Sequence, residues 1–175
     1  MKSSILPTYN RAPFAFVAGQ GSWLTTDDNR QFLDLGAGIA VNSLGHAHPA
    51  LIAALTNQAG QLWHTSNLYQ IPAQQKLADQ LVDLTFADKV FFTNSGTEAC
   101  ELAVKMARKY FFDKGQEERV EIITFEGSFH GRSSAGMAAA GSAKLTKGFG
   151  PLLGGFRQVP FGKHEPLNEA VNEKT

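Results

Sequence analysis

One stretch constrains the fold of this 175-residue chain more than any other: Val90-Phe91-Phe92-Thr93, then Asn94-Ser95-Gly96-Thr97, then a long amphipathic run. Four consecutive residues suited to a buried strand meet a tight turn. The turn leads into a helix with Ala99, Leu102, Ala103, Met106, Ala107 and Tyr110 on one face. After the polar break Gly115–Glu118, a second strand is predicted over Val120-Glu121-Ile122-Ile123-Thr124-Phe125, and a third over Phe156-Arg157-Gln158-Val159-Pro160. Strand, helix, strand at this spacing predicts an α/β fold with a mainly parallel sheet. Upstream, Phe14–Leu35 is split by Gly-Gln-Gly and by Thr26-Asp27-Asp28-Asn29-Arg30, which predicts an antiparallel hairpin or meander. A glycine loop follows from Gly36 to Pro49. Pro49 suits the first position of a helix, and a second helix is predicted over Ala73–Leu84. Leu167–Thr175 reads as the start of a helix without an end.

The turn also points to chemistry. A strand leading through Ser-Gly-Thr into a helix leaves backbone N–H groups and the positive end of the helix dipole facing an anion. Gly96 permits close approach, and the hydroxyls of Ser95 and Thr97 can donate to phosphate oxygens. A second reading stands beside it: these hydroxyls only cap the helix. The Gly-Lys-Ser/Thr ending of a Walker loop is absent. Gly127-Ser128-Phe129-His130-Gly131-Arg132 follows the next strand, on the sheet edge where such folds take ligands. There an aromatic can stack on a flat ring and an arginine can grip a carboxylate with two parallel hydrogen bonds. A core phenylalanine, a surface arginine and a packed His130 are the plainer alternatives. The nucleophile-elbow order is not met.

The remaining candidates are weaker. Gly36-Ala37-Gly38 lacks the third glycine of a dinucleotide loop. His46 and His48 have no further ligand at metal spacing, so no metal is expected. Cys100 reads as a packed cysteine, and Glu101, Lys105 and Lys109 as a solvated, ion-paired helix face. Sixteen basic and sixteen acidic residues cancel, which argues against general nucleic-acid binding. A single cysteine, no signal-like start and no run of membrane-spanning length lead to the expectation of a cytoplasmic protein.

A set of motifs in one order resembles the class III aminotransferases. It comprises Phe32-Leu33-Asp34-Leu35, Gly38-Ile39-Ala40-Val41, Leu44-Gly45-His46 with His48-Pro49, Thr65-Ser66-Asn67-Leu68-Tyr69, Phe92 to Ala99, and Phe129-His130-Gly131-Arg132. The resemblance is strongest to the branch that works on N2-acetylornithine in arginine biosynthesis. It implies fold type I, pyridoxal 5'-phosphate as cofactor, 2-oxoglutarate as amino acceptor, and a homodimer, with no nucleic-acid or membrane partner. By the same resemblance Ser95, Gly96 and Thr97 hold the cofactor phosphate, Phe129 packs on its ring, and Arg132 binds the substrate carboxylate. Residues 1–60 would belong to the small domain and 61–175 to the first part of the large one. Ser66-Asn67-Leu68 resembles a segment near the dimer interface, and Cys100 stands where the family often has asparagine. None of the ten lysines fits the family's Schiff-base motif, so that residue is expected beyond position 175 and the chain is expected to be an N-terminal portion, inactive alone. Other class III activities, on ornithine, succinylornithine or 4-aminobutyrate, are the neighbouring expectations. A non-catalytic binding or dimerisation chain is the remaining one.

Overall fold

The first strands follow the turn chemistry closely. β1 (Phe16–Gln20), β2 (Trp23–Thr26) and β3 (Gln31–Leu33) form an antiparallel meander, with Gln20 opposite Trp23 and Leu24 opposite Phe32. The computed structural model describes residues 4–175, and the chain divides after Gln75 into two units. In the first, Thr26 is buried and organises the β2–β3 turn: its hydroxyl donates to Asp28 at 2.5 Å and accepts the Arg30 N–H at 3.0 Å. Phe14, Phe16 and Phe32 cluster on the sheet with ring centroids 5.1–5.6 Å apart.

Beyond β3, Asp34 takes hold of the loop. One carboxylate oxygen accepts the N–H groups of Gly36 (3.0 Å) and Ala37 (2.8 Å), and the other lies 2.7 Å from His46 Nε2. These bonds pin α1 (Ala37–Ala40), a single left-handed turn in which Ala37, Gly38, Ile39 and Ala40 all have positive φ. Left-handed backbone costs about 1–2 kcal/mol at each non-glycine residue. Gly21 and His46 exchange both backbone hydrogen bonds, at 2.8 and 2.9 Å, and so return the loop to the meander. α2 (Pro49–Ala59) begins with Pro49 at its first position, where a missing N–H costs nothing. α3 (Pro72–Leu84) spans the division between the units.

The second unit contains α4 (Gly96–Asp113), β4 (Ile122–Phe125), α5 (Ser134–Ala140), α6 (Ala143–Thr146), β5 (Phe156–Val159) and α7 (His164–Ala170). β4 and β5 pair in parallel, Ile122 opposite Phe156 and Phe125 opposite Val159, with α5 and α6 in the crossover. Small residues bring α5 close to the sheet: Ala135, Ala138, Ala139 and Ala140 are buried together with Val159. Two strand side chains bond the α5 carbonyls there. Thr124 Oγ1 donates to Ala139 at 2.6 Å, and Gln158 Nε2 to Ala138 at 2.8 Å.

Two expectations need correction. Val90–Thr93 forms no ladder, because β4 and β5 pair only with each other among the described residues. The final helix starts earlier than expected, at His164, and ends at Ala170. Asn172 turns the chain away by bonding locally: its Nδ2 donates to the Ala170 carbonyl and its Oδ1 accepts the Lys174 N–H at 2.7 Å.

Much apolar surface stays in solvent. Trp63, Leu68, Phe86 and Phe91 are among the exposed side chains.

Candidate active site

Local sequence determines how α4 begins. Ser95 is extended and caps the helix: its Oγ accepts the Glu98 N–H at 3.2 Å and donates to the Glu98 carboxylate at 3.1 Å. This is the Ser-x-x-Glu spacing of a capping box, with the glutamate returning to the serine hydroxyl. Asn94 Nδ2 donates to the other Glu98 oxygen at 3.2 Å. The bonds from Asn94 and then Ser95 hold the Glu98 carboxyl below its ordinary pKa. The hydroxyl proton of Ser95 is therefore engaged within the turn. Of the two readings of this serine, the cap is the one its side chain displays.

The backbone N–H groups of Gly96 and Thr97 head the helix, where no carbonyl of the preceding turn can reach them. A Cβ on Gly96 would meet no protein atom within 4 Å. That open approach to a helix start is what an anionic group requires.

Thr97 is half-buried because the second loop lies on it. Gly131, buried and at φ +94°, faces Thr97 so closely that an added Cβ would be 3.0 Å from the threonine Cβ. On the far side, a Cβ on Gly136 would fall 3.0 Å from the His130 carbonyl carbon. The His130–Gly131 peptide thus passes between α4 and α5. This brings the turn at 95–97 against the loop at 127–132 that follows β4. Phe129 and Arg132 flank that peptide on exposed positions, Phe129 with 67% of its surface accessible. His130 Nε2 lies 3.0 Å from Ser128 Oγ, whose hydroxyl donates to the Phe125 carbonyl. That arrangement fits the packed histidine of the plainer reading.

Cys100 lines an apolar cavity of about 280 Å³ with Val104, Ile122, His130, Ala139 and Phe156. Glu101 departs from expectation. It is half-buried, and its carboxylate accepts the Ala135 N–H at 3.3 Å. The ion-paired face survives at Lys109, whose partner is Asp113. His46 pairs with Asp34, and this bond, followed by that from Ala37, depresses the Asp34 pKa. No group of His, Cys, Asp and Glu able to hold a metal occurs among the described residues. None of their helices is long and apolar enough to cross a membrane.

The family described as aminotransferase class-III matches residues 6–175. The chain is 67% identical over 175 residues to an acetylornithine aminotransferase of Rhodobacter capsulatus, covering all of this chain and 44% of the relative. It is 56% identical to that of Mesorhizobium japonicum, over 99% of this chain and 43% of the relative. It therefore spans less than half the length of these relatives. Among solved structures, an ornithine aminotransferase from Toxoplasma gondii superposes with TM-score 0.89 at 26% identity, covering 95% of this chain and 40% of the other. An N-acetylornithine aminotransferase from Stenotrophomonas maltophilia gives TM-score 0.75 at 37% identity, over 92% and 39%.

Proposed function

Since the chain belongs to the class III aminotransferases, we propose that it is the N-terminal part of an enzyme moving the amino group of N2-acetylornithine to 2-oxoglutarate. The products would be glutamate and the acetylated semialdehyde, within arginine biosynthesis. The observation that carries this reading is the open helix start at Gly96–Thr97 beside the loop bearing Phe129 and Arg132. Its residues fit pyridoxal 5'-phosphate. The free N–H groups of Gly96 and Thr97 would take the phosphate, and a Cβ at Gly96 would occupy the space in front of them. Bound there, the cofactor supplies a carbonyl for the amino group and an electron sink for the carbon that loses its proton.

The chain's own contribution is binding and orientation. Phe129 would lie along the cofactor ring, and Arg132 would hold a carboxylate common to the amino donor and to 2-oxoglutarate. Ser95 would act through its backbone and its cap, since its side chain is engaged with Glu98. We assign no catalytic residue within 1–175, and place the Schiff-base lysine outside these residues. We further assign residues 1–60 to the small domain and 61–175 to the large domain of a cytoplasmic homodimer. The exposed apolar side chains would be covered by the rest of the large domain as well as by a second subunit.

The test uses the full-length protein. Glutamate should form from N2-acetylornithine and 2-oxoglutarate, faster than from ornithine, succinylornithine or 4-aminobutyrate. A preference for one of those three would move the enzyme to another class III activity. No transamination with any donor would reject the reading.

A further inference from the structure

We propose that Glu101 is a positioning residue, which anchors the segment from Gly131 to Ala135 on α4 and thereby sets where Arg132 stands. The role of Arg132 in holding a carboxylate rests on the function proposed above. The anchoring itself rests on geometry.

Thr97 and Glu101 are four residues apart in α4, so they share one face of the helix. Both meet the same segment. Thr97 abuts Gly131, and the Glu101 carboxylate accepts the Ala135 N–H at 3.3 Å. Arg132 is the residue immediately after the first anchor and three before the second. From the opposite side Gly136 closes on the His130–Gly131 peptide, so the backbone has little room to shift there. Gly131, Ala135 and Gly136 are all buried.

Glu101 also serves a need that α5 cannot meet locally. The first N–H groups of a helix lack partners in their own helix. Ser133 Oγ accepts the Gly136 N–H at 3.3 Å, and the Ala135 N–H is left for a group from elsewhere. A carboxylate is the preferred acceptor at that end of a helix. Without it a buried donor loses its bond, and the segment would shift to regain one from water. Glu101 thus connects the helix that presents Gly96 and Thr97 to the loop that presents Arg132.

The test uses the full-length enzyme loaded with pyridoxal phosphate, with Glu101→Ala, Glu101→Asp and Glu101→Gln. Asp keeps the charge but falls a methylene short, while Gln keeps an acceptor oxygen at full reach. Glutarate, an unreactive dicarboxylate, is titrated calorimetrically beside steady-state kinetics with 2-oxoglutarate. Ala and Asp should weaken glutarate and raise the 2-oxoglutarate KM about tenfold, with kcat and cofactor retention within about twofold. Gln should stay near wild type. Amide exchange over 131–136 should speed up in Ala and Asp alone. Wild-type glutarate affinity and exchange in Glu101→Asp would overturn the proposal. So would equal losses in kcat, KM and cofactor retention, which indicate general damage. If Glu101→Ala does not fold, the Asp and Gln pair decides. If the wild-type enzyme lacks transamination, the function reading fails by itself, and exchange at 131–136 still decides the anchoring.

Discussion

Gly131 lies directly against Thr97: a side chain grown on the glycine would begin 3.0 Å from the threonine Cβ and 3.1 Å from its Cα. Gly131 is also at φ +94°, where a side chain is strained in any surroundings. Gly131→Ala should therefore destabilise the complete enzyme by about 1–3 kcal/mol or more. Thr97→Ala should remove the nearest obstacle, the hydroxyl, and recover part of that loss. A double-mutant cycle by denaturant unfolding should give a coupling of about 0.5 kcal/mol or more. Strict additivity would show that the two residues do not touch.

Gly96→Ala should behave in the opposite way. A Cβ there meets no protein atom, so the thermal midpoint should hold or rise slightly. Pyridoxal phosphate affinity should fall about ten- to hundredfold, the equivalent of one lost hydrogen bond to a charged group. Fluorescence titration of the apoenzyme measures this. Unchanged affinity would separate the open helix start from the cofactor.

Ser95→Ala should cost about 1 kcal/mol of stability, the usual effect of removing an N-cap. Cofactor affinity should change less than in Gly96→Ala, because the Ser95 hydroxyl already bonds Glu98 on both counts. Chemical denaturation with a cofactor titration on the same preparations distinguishes the two effects.

Arg132→Lys keeps the charge but loses the fork that makes two parallel hydrogen bonds to a carboxylate. KM should rise about tenfold or more for both N2-acetylornithine and 2-oxoglutarate, since one site would serve both half-reactions. Wild-type kinetics with both substrates would reject the assignment.

Asp34 should make stability acid-sensitive. Its pKa is depressed in the folded chain, first by His46 and then by the Ala37 N–H. Its contribution is therefore fully present above the ordinary carboxylate range, and is lost as pH falls through the depressed value. Asp34→Asn should lower the thermal midpoint most near neutrality. The gap to wild type should close as the buffer is taken below the carboxylate range. A constant gap at all pH values would mean that the charge plays no part.

Local signals were the readable ones. The Ser95 turn, the meander and Pro49 at the head of α2 all follow from residues within a few positions of each other. The two strands β4 and β5 were legible from their apolar runs, and the class III motifs brought the candidate residues into one order. Long-range partners leave no such trace. Glu101 has the spacing of a surface ion pair, yet its acceptor role depends on a helix that starts more than thirty residues later. Asp34 and His46 lie in separate motifs and meet where the neighbouring residues Gly21 and Ser22 bond the backbones of His46 and Asp34. Val90–Thr93 has strand composition, but composition cannot supply a neighbouring strand. Asn172 ends the last helix through side-chain bonds to the Ala170 carbonyl and the Lys174 N–H, which the apolar pattern does not encode.

The capping box at α4 has an evolutionary consequence. Three consecutive positions answer to three separate selective pressures. On the proposed function, position 95 would be judged by whether the helix starts, position 96 by whether the cofactor can approach, and the side chain at position 97 by whether a distant loop can settle. A saturation screen scored for abundance, for cofactor occupancy and for substrate turnover should rank these neighbours differently in each channel. Serine should drift to aspartate, asparagine or threonine in such a screen, because each can also cap. Glycine 96 should stay fixed only while the cofactor is required for growth, and be released in a host fed the end product.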